Sequence, residues 1–321
     1  MSIEKTNQSK KAFYLLSNGA IAITFLAAGD LAMACQATLS SNNTPYTSIG
    51  AAFNAAANVD TITVDGSKGI CTENIVFGNH KLRINLVGKN GATINSADNN
   101  SPVIDARSKV SLIQNINISG GRGIVIMRGT NSTIDSVNVS GSVENGITVR
   151  HGAFAVITNS NLSYNTAAGV KVTTLASAHV GFNNDEDGAS QGNTISHNGA
   201  SGISVDLNST AKITSNSIFS NAGDGVTVAG TSSALLANNG IYSNTGNGIS
   251  VRGASSIRLA PLASGLFSLP NTSSAVNVGY GINCGGLAYI EGHLGTSTPL
   301  NGSLGAYTTS PAATCVNLSS Q

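Results

Sequence analysis

The chain has 321 residues, 16 Lys+Arg against 15 Asp+Glu, 10% charged and 5% aromatic residues, and no Trp. A formal net charge of +1 leaves no basic footprint of the kind that nucleic-acid binders carry. So little charge beside 40% hydrophobic residues also excludes a disordered solvated chain and argues against a helical bundle or coiled coil.

The chain opens with Lys5, Lys10 and Lys11, then an apolar run from Ala20 to Ala28, then Ala32-Met33-Ala34. This layout predicts a secretory signal peptide over residues 1–34, cleaved near Ala34. The run is too short to span a bilayer, and no later segment is long enough. The expectation is an exported protein, secreted, periplasmic or at the cell surface, with no transmembrane segment. Cys35 follows the cleavage site directly, which leaves a lipoprotein reading open. Against it, Leu31 stands four residues before Cys35, where a lipobox places it three before. Beyond residue 34 the chain has 13 basic and 13 acidic residues, so the mature protein is near neutral.

Four Cys in an exported chain read as two disulfides, with three pairings open. The preferred pairing is Cys35–Cys71 with Cys284–Cys315, because each bridge then pins one terminus. No Cys-x-x-Cys spacing points to a metal site instead.

After Cys35 the first predicted element is a short amphipathic helix near residues 46–56. It carries Ile49, Ala52, Phe53 and Ala56 on one face and Thr47 or Ser48 as N-cap. Asp60-Thr61-Ile62-Thr63-Val64 and Thr72-Glu73-Asn74-Ile75 follow. Residues 35–80 are assigned to an N-terminal cap and first coil.

Residues 81–284 carry an internal repeat. A Gly-[Ile/Val]-x-Val pattern recurs with its Gly at 123, 146, 169, 202, 225, 248 and 281, spaced 23, 23, 33, 23, 23 and 33 residues. One residue after each Gly stands Ile124, Ile147, Val170, Ile203, Val226, Ile249 or Ile282. Seven before stand Ile116, Val139, Leu162, Ile195, Ile218 and Ile241, and eleven after stand Ile134, Ile157, Val180, Ile213, Leu236 and Leu259. Asn165, Asn198, Asn221, Asn244 and Asn277 share a further column. Each coil thus offers three short, β-branched, period-two pieces. None can bury a face alone, but stacked coil on coil they make three parallel sheets around one core. The Asn column predicts a turn in which left-handed backbone is tolerated and stacked amides bond along the axis. Residues 285–321 are assigned to a C-terminal cap tail.

On these columns, from about Tyr46 to Cys284, the chain resembles the right-handed parallel β-helix proteins of the pectin-lyase-like superfamily. The resemblance implies an all-β, right-handed parallel β-helix, a three-sheet solenoid of ~23 residues per coil with an N-terminal capping helix. It also implies a carbohydrate-facing role.

Both 33-residue spacings hold ten extra residues in one place. Val180 to Ile195 is 15 residues against 5 for Ile157 to Leu162, and Leu259 to Ser274 is again 15. Two loops therefore leave one corner, and loops on one side often wall a substrate cleft in this family. The first carries Asp185-Glu186-Asp187, either a set of oxygen donors suited to Ca²⁺ or a solvated acidic loop, since the run matches no fixed calcium spacing. The second carries Leu262, Leu266, Phe267 and Pro270. His179 and His197 flank the first loop and are placed to converge. His80, His151 and His293 are scattered.

With positions one and three after each Gly facing inward, positions two and four face out. Arg150, Lys171 and Asp206 then occupy three consecutive rungs of one exposed face, with Arg128 and His151 nearby. Lyases of the superfamily use a basic residue to take a proton beside a uronate carboxylate, and Lys171 or Arg150 beside Asp206 offers such a group. A surface ion-pair ladder is the structural alternative. The polygalacturonase motifs and the Asp-Pro-His-Asp of alginate epimerases are absent. Two functions follow. One is recognition of an acidic or hydroxyl-rich polysaccharide, extending to its processing as a lyase or epimerase. The other is a non-catalytic, adhesin-type surface β-helix.

Overall fold

The structure, a computed structural model, describes residues 35–78, 83–107, 110–183, 190–259, 271–273, 275–293, 302–304, 307–309 and 318–319. All lie within one compact unit, Met33–Gln321. The chain is a right-handed parallel β-helix of three sheets, here called A, B and C in the order each coil visits them. In a middle coil, Phe154–Thr158 lies in sheet A, Asn161–Ser163 in sheet B and Val170–Thr173 in sheet C. Ile147, Val170, Ile203, Val226 and Ile249 pair directly along sheet C and are fully buried. Burial of these β-branched columns drives stacking, since a coil alone exposes both its apolar face and two strand edges.

Each corner carries its own polar ladder. Between sheets B and C the Nδ2 of Asn165 donates to Asn198 Oδ1 at 3.0 Å, and the pattern repeats from Asn198 to Asn221, Asn244 and Asn277 at 2.9 Å. A second Asn ladder, Asn193 to Asn216 to Asn239 to Asn271, fills the A–B corner at 2.7–2.9 Å. At the C–A corner the backbone N–H groups of Ser209 and Ser232 donate to the hydroxyls of Ser232 and Ser255. These side chains are buried, so the ladders satisfy groups that water cannot reach. The left-handed backbone belongs to the neighbouring residue, not to the ladder Asn: Tyr164, His197, Ser220 and Ser243 have φ of 53–57°. The expectation that the Asn itself turns the chain is corrected on this point.

Two registers differ from the columns read in the sequence. Sheet B pairs Ile118, not Ile116, with Val139. Gly120 and Gly121, both at positive φ, tighten the corner that follows. Farther along, Gly240 pairs with Thr272, which sets Ser273, rather than Ser274, opposite Ile241. The reason is that Asn271 supplies the ladder acceptor for Asn239.

At the N-terminal end, helix α1 (Ile49–Ala55) lies over the first coil with Ile49, Ala52 and Phe53 buried. The Ser48 hydroxyl accepts from the Ala51 N–H at 3.0 Å, and the Glu73 carboxylate accepts from Ile49 and Gly50 N–H at 2.7 and 3.0 Å. An anion and a capping hydroxyl thus satisfy the free donors of the first turn. Phe53 meets Phe77 edge-on at 4.9 Å, and Cys35 is disulfide-bonded to Cys71. At the other end, Tyr289–His293 and Leu318–Ser319 extend sheet A, and Tyr307–Thr309 extends sheet C, all parallel. Cys284 is disulfide-bonded. Cys315, its expected partner, lies outside the described residues, as do the predicted signal peptide and most of the second inserted loop.

Candidate functional site

The outer face of sheet C is set by the residues two and four after each repeat glycine. Lys171 pairs across the ladder with Ser204, and Arg150 with Thr173. Asp206 therefore lies diagonally from Lys171, and the two side chains close the gap to an ion pair of 3.2 Å. Arg150 lies one strand earlier than Lys171. Its Nε is buried with no hydrogen-bond partner among the described residues, and Asp206 Oδ1 is in the same condition. An unpaired buried donor and acceptor, one on each side of the Lys171 strand, is a costly arrangement.

Around this pair the face is hydroxyl-rich. Thr148, Thr173, Thr227 and Ser250 are buried by their close-stacked neighbours. Toward the N-terminal end Arg107 bonds Asp105 at 2.5 Å, and toward the other end Arg252 is exposed. Arg128 and His151 lie past the strands, at the C–A corner, with φ of 60° and 55°. They flank the face without standing on it.

Asp185, Glu186 and Asp187 lie outside the described residues. The ends of their loop are joined as a ribbon, Phe182–Asn183 pairing antiparallel with Ser190–Gln191. Among the described residues the one cluster with metal-ligand spacing is Cys35, Cys71 and Glu73. Its two sulfurs are consumed by the disulfide and its carboxylate by the helix N-terminus.

His179 and His197 do not converge. His179 lies on the outer face of sheet A, edge-on to Phe154 at 5.2 Å. Burial, and then the nearby Lys212 charge, hold its pKa below the ordinary imidazole value. His197 stands at the B–C corner, stacked on Tyr164 at 4.9 Å and meeting Phe219 edge-on. The loop between the two histidines spans different sheets, so nearness in sequence is misleading here.

Two hollows among the described residues lie on sheet A. Two depressions of about 370 and 430 Å³ share Thr210 and Ala211 and run along the axis. Their line is an in-register column, Phe154, Ser177, Thr210, Ser233, Ser256 and Tyr289. The sequence carries the signal in the recurring Ser or Thr at these spacings. It is faint, because Ser and Thr are also what an unremarkable solvent face contains.

Residues 174–260 match the family model described as a right handed beta helix region. No curated protein matches the chain. Among solved structures, the chain is similar to the A-module of the Azotobacter vinelandii mannuronan C-5 epimerase AlgE4, at 14% identity over 85% of this chain and 94% of that one, with a TM-score of 0.40. The AlgE6 A-module of the same organism gives 14% over 82% and 94%, with 0.40. A crystal structure of the periplasmic alginate epimerase AlgG gives 14% over 81% and 77%, with 0.34.

Proposed function

We propose that this chain is an exported β-helix protein that recognises an acidic polysaccharide along the outer face of sheet C. The observation that carries the reading is the arrangement of Arg150, Lys171 and Asp206 on adjoining strands, with one buried donor and one buried acceptor left without partners. Arg150 offers a planar fork suited to a carboxylate. Lys171 is a positioned cation, and Asp206 is its orienting partner. The surrounding Thr and Ser hydroxyls suit a sugar rather than an apolar ligand. Export is supported by the Cys35–Cys71 bridge, since such bridges persist in oxidising compartments.

The same ion pair favours recognition over proton abstraction. An ammonium held on a carboxylate at 3.2 Å is a donor already engaged, and a general base must reach the substrate proton with a free lone pair. A lyase or epimerase would need another group on this face. If Asp185, Glu186 and Asp187 hold Ca²⁺, the ion adds a further anchor for carboxylates.

The test is a binding and turnover screen on polygalacturonate and polymannuronate, with Ca²⁺ and with chelator. Turnover is followed by the ultraviolet absorbance of unsaturated uronates. The expected result is binding without absorbance growth. Arg150→Ala and Lys171→Ala should each weaken binding about tenfold, the equivalent of one charge-assisted contact. A folded double variant that binds like the parent would overturn the assignment. Absorbance growth abolished in Lys171→Ala would make the protein a lyase.

A further inference from the structure

The residue that follows each strand of sheet B has left-handed backbone, and its side chain changes along the chain. In register stand Gly120, Gly141, Tyr164, His197, Ser220 and Ser243. Tyr164 and His197 stack at 4.9 Å with their planes 18° apart. That separation matches the ~4.8 Å rung spacing, so both rings lie across the axis. His197 then meets Phe219 edge-on, and Phe219 stacks on Tyr242 at 5.1 Å. The row of rings stops at Tyr164. His197 covers one of its faces, and the other looks back over Gly141 and Gly120, which have no side chains. A Cβ on Gly141 would meet nothing closer than the Ser119 hydroxyl at 3.8 Å. The gap closes below Gly120, where a Cβ would lie 3.4 Å from Asn99 and Ser96. From Tyr164 to Gly120 is two rungs, ~10 Å. A bulky residue at φ 57° is strained, and Tyr164 is 65% exposed, so burial does not account for its place here.

Charge and chemistry select the occupant. Among the described residues no strand of sheet B carries a charged side chain. At the corner beside the gap, Arg122 and Glu144 are engaged with each other at 2.5 Å, and Asp98 accepts from the Asn100 N–H and the Ser101 hydroxyl. An ionic ligand would meet no countercharge there that is not already engaged, so the surface suits an uncharged one. Ser119 and Ser140 end the strands next to the gap, with Asn138 and Asn161 two residues back on the same face. An aromatic side chain of a partner would match the Tyr164 ring and leave these hydroxyls and amides unused. A pyranose with equatorial hydroxyls uses both. Its axial C–H groups meet the negative face of the ring, and its rim exchanges hydrogen bonds with Ser and Asn. We propose that Tyr164, with the gap over Gly141 and Gly120, is a second binding site, which takes an uncharged pyranose with equatorial hydroxyls, the unit of cellulose- and chitin-type chains, stacked as the next ring of the row. The site shares no residue with Arg150, Lys171 and Asp206, so each assignment stands or falls by its own ligand.

The test is calorimetry and saturation-transfer NMR on the purified protein with cellotetraose, chitotetraose, tetragalacturonate and N-acetyltryptophanamide. The expected result is binding of cellotetraose or chitotetraose, with saturation strongest on the axial C–H protons. Tyr164→Ala should weaken it about tenfold, the upper end of an aromatic contact. Tyr164→Phe should keep it, because the ring face and not the hydroxyl makes the contact. Gly141→Asn fills the gap with a residue that accepts left-handed backbone, and should abolish it. These positions are on the surface, so thermal midpoints should match the parent. Arg150→Ala/Lys171→Ala should leave the neutral sugar bound as before. Several results would overturn the inference. They are no binding of either neutral tetrasaccharide by the parent, and parent-like affinity in a Tyr164→Ala or Gly141→Asn protein that melts like the parent. Tyr164-dependent binding of tetragalacturonate or N-acetyltryptophanamide as tight as that of the neutral sugars would overturn the choice of ligand. Neutral-sugar binding lost in the sheet C double variant and kept in Gly141→Asn would move the site to sheet C.

Discussion

Asn198 accepts from the backbone N–H and the side-chain amide of Asn165, and donates to the Leu162 carbonyl and to Asn221. Every polar atom of the side chain is used, and the side chain is buried. Asn198→Ala should therefore lower stability by about 2–3 kcal/mol through the groups it orphans. Asn198→Asp should cost more, because a carboxylate turns two donated bonds into contacts between acceptors; urea unfolding of the two variants checks the order. Asp60 gives a pH signature. Burial alone would raise its pKa, but hydroxyls of Ser40 and Ser41 and the N–H groups of Ala57 and Ser41 outweigh that and hold it at about 2, against 3.8 for a free side chain. A depressed carboxyl contributes stability that is whole above the unfolded pKa and lost as pH falls through the folded one. The thermal midpoint should drop between pH 4 and about 2, and Asp60→Asn should flatten that part of the profile. An unchanged slope in Asp60→Asn would count against this origin.

At the scale of the element, a repeat glycine and a corner glycine differ in what they require. Gly225 has ordinary backbone, and a Cβ there would lie 2.6 Å from the Gly248 carbonyl oxygen and 2.4 Å from Ile241 Cγ2. The column is glycine because the coils pass so closely. Gly152, at φ +71°, has open space around it, and its requirement is conformational. Gly225→Ala should cost about 3 kcal/mol by overpacking, and Gly152→Ala about 1 kcal/mol through left-handed backbone. Thermal melts that reverse this order would refute the distinction. The same contrast explains what was legible in the sequence. Columns of Ile and Val are visible because burial acts on every coil alike. The slips at Ile118 and Thr272 are hidden because they depend on single corners, one carrying Gly120 and Gly121 and the other the ladder side chain of Asn271. The position of Lys171 diagonal to Asp206 follows from alternation alone. The unpaired Arg150 Nε depends on packing of neighbouring strands, and the trough of sheet A depends on the height of side chains on either side of Ser233. Neither is written in any one coil.

Across the whole molecule, each coil contacts chiefly its neighbours, so stability is close to a sum of coil and interface terms and loss begins at the ends. The N-terminal end is held by helix α1 and by the Cys35–Cys71 bridge, which closes 36 residues. Loop-closure arithmetic gives such a bridge about 3–4 kcal/mol. On reduction, hydrogen exchange should rise first in Ala37–Leu39 and Thr61–Asp65, while Ile203–Val205 and Val226–Val228 stay protected; a uniform rise along the chain would show that the cap and the middle coils unfold as one.

The asparagine ladders carry one more consequence. In both of them every amide-to-amide bond runs from the Nδ2 of one coil to the Oδ1 of the following coil. The side-chain dipoles therefore add rather than cancel, and the solenoid is a polar rod whose two ends are not equivalent even at zero net charge. At the lower end the first ladder oxygens accept from the backbone N–H of Ser142 and of Ser160. No single capping segment can serve both ends.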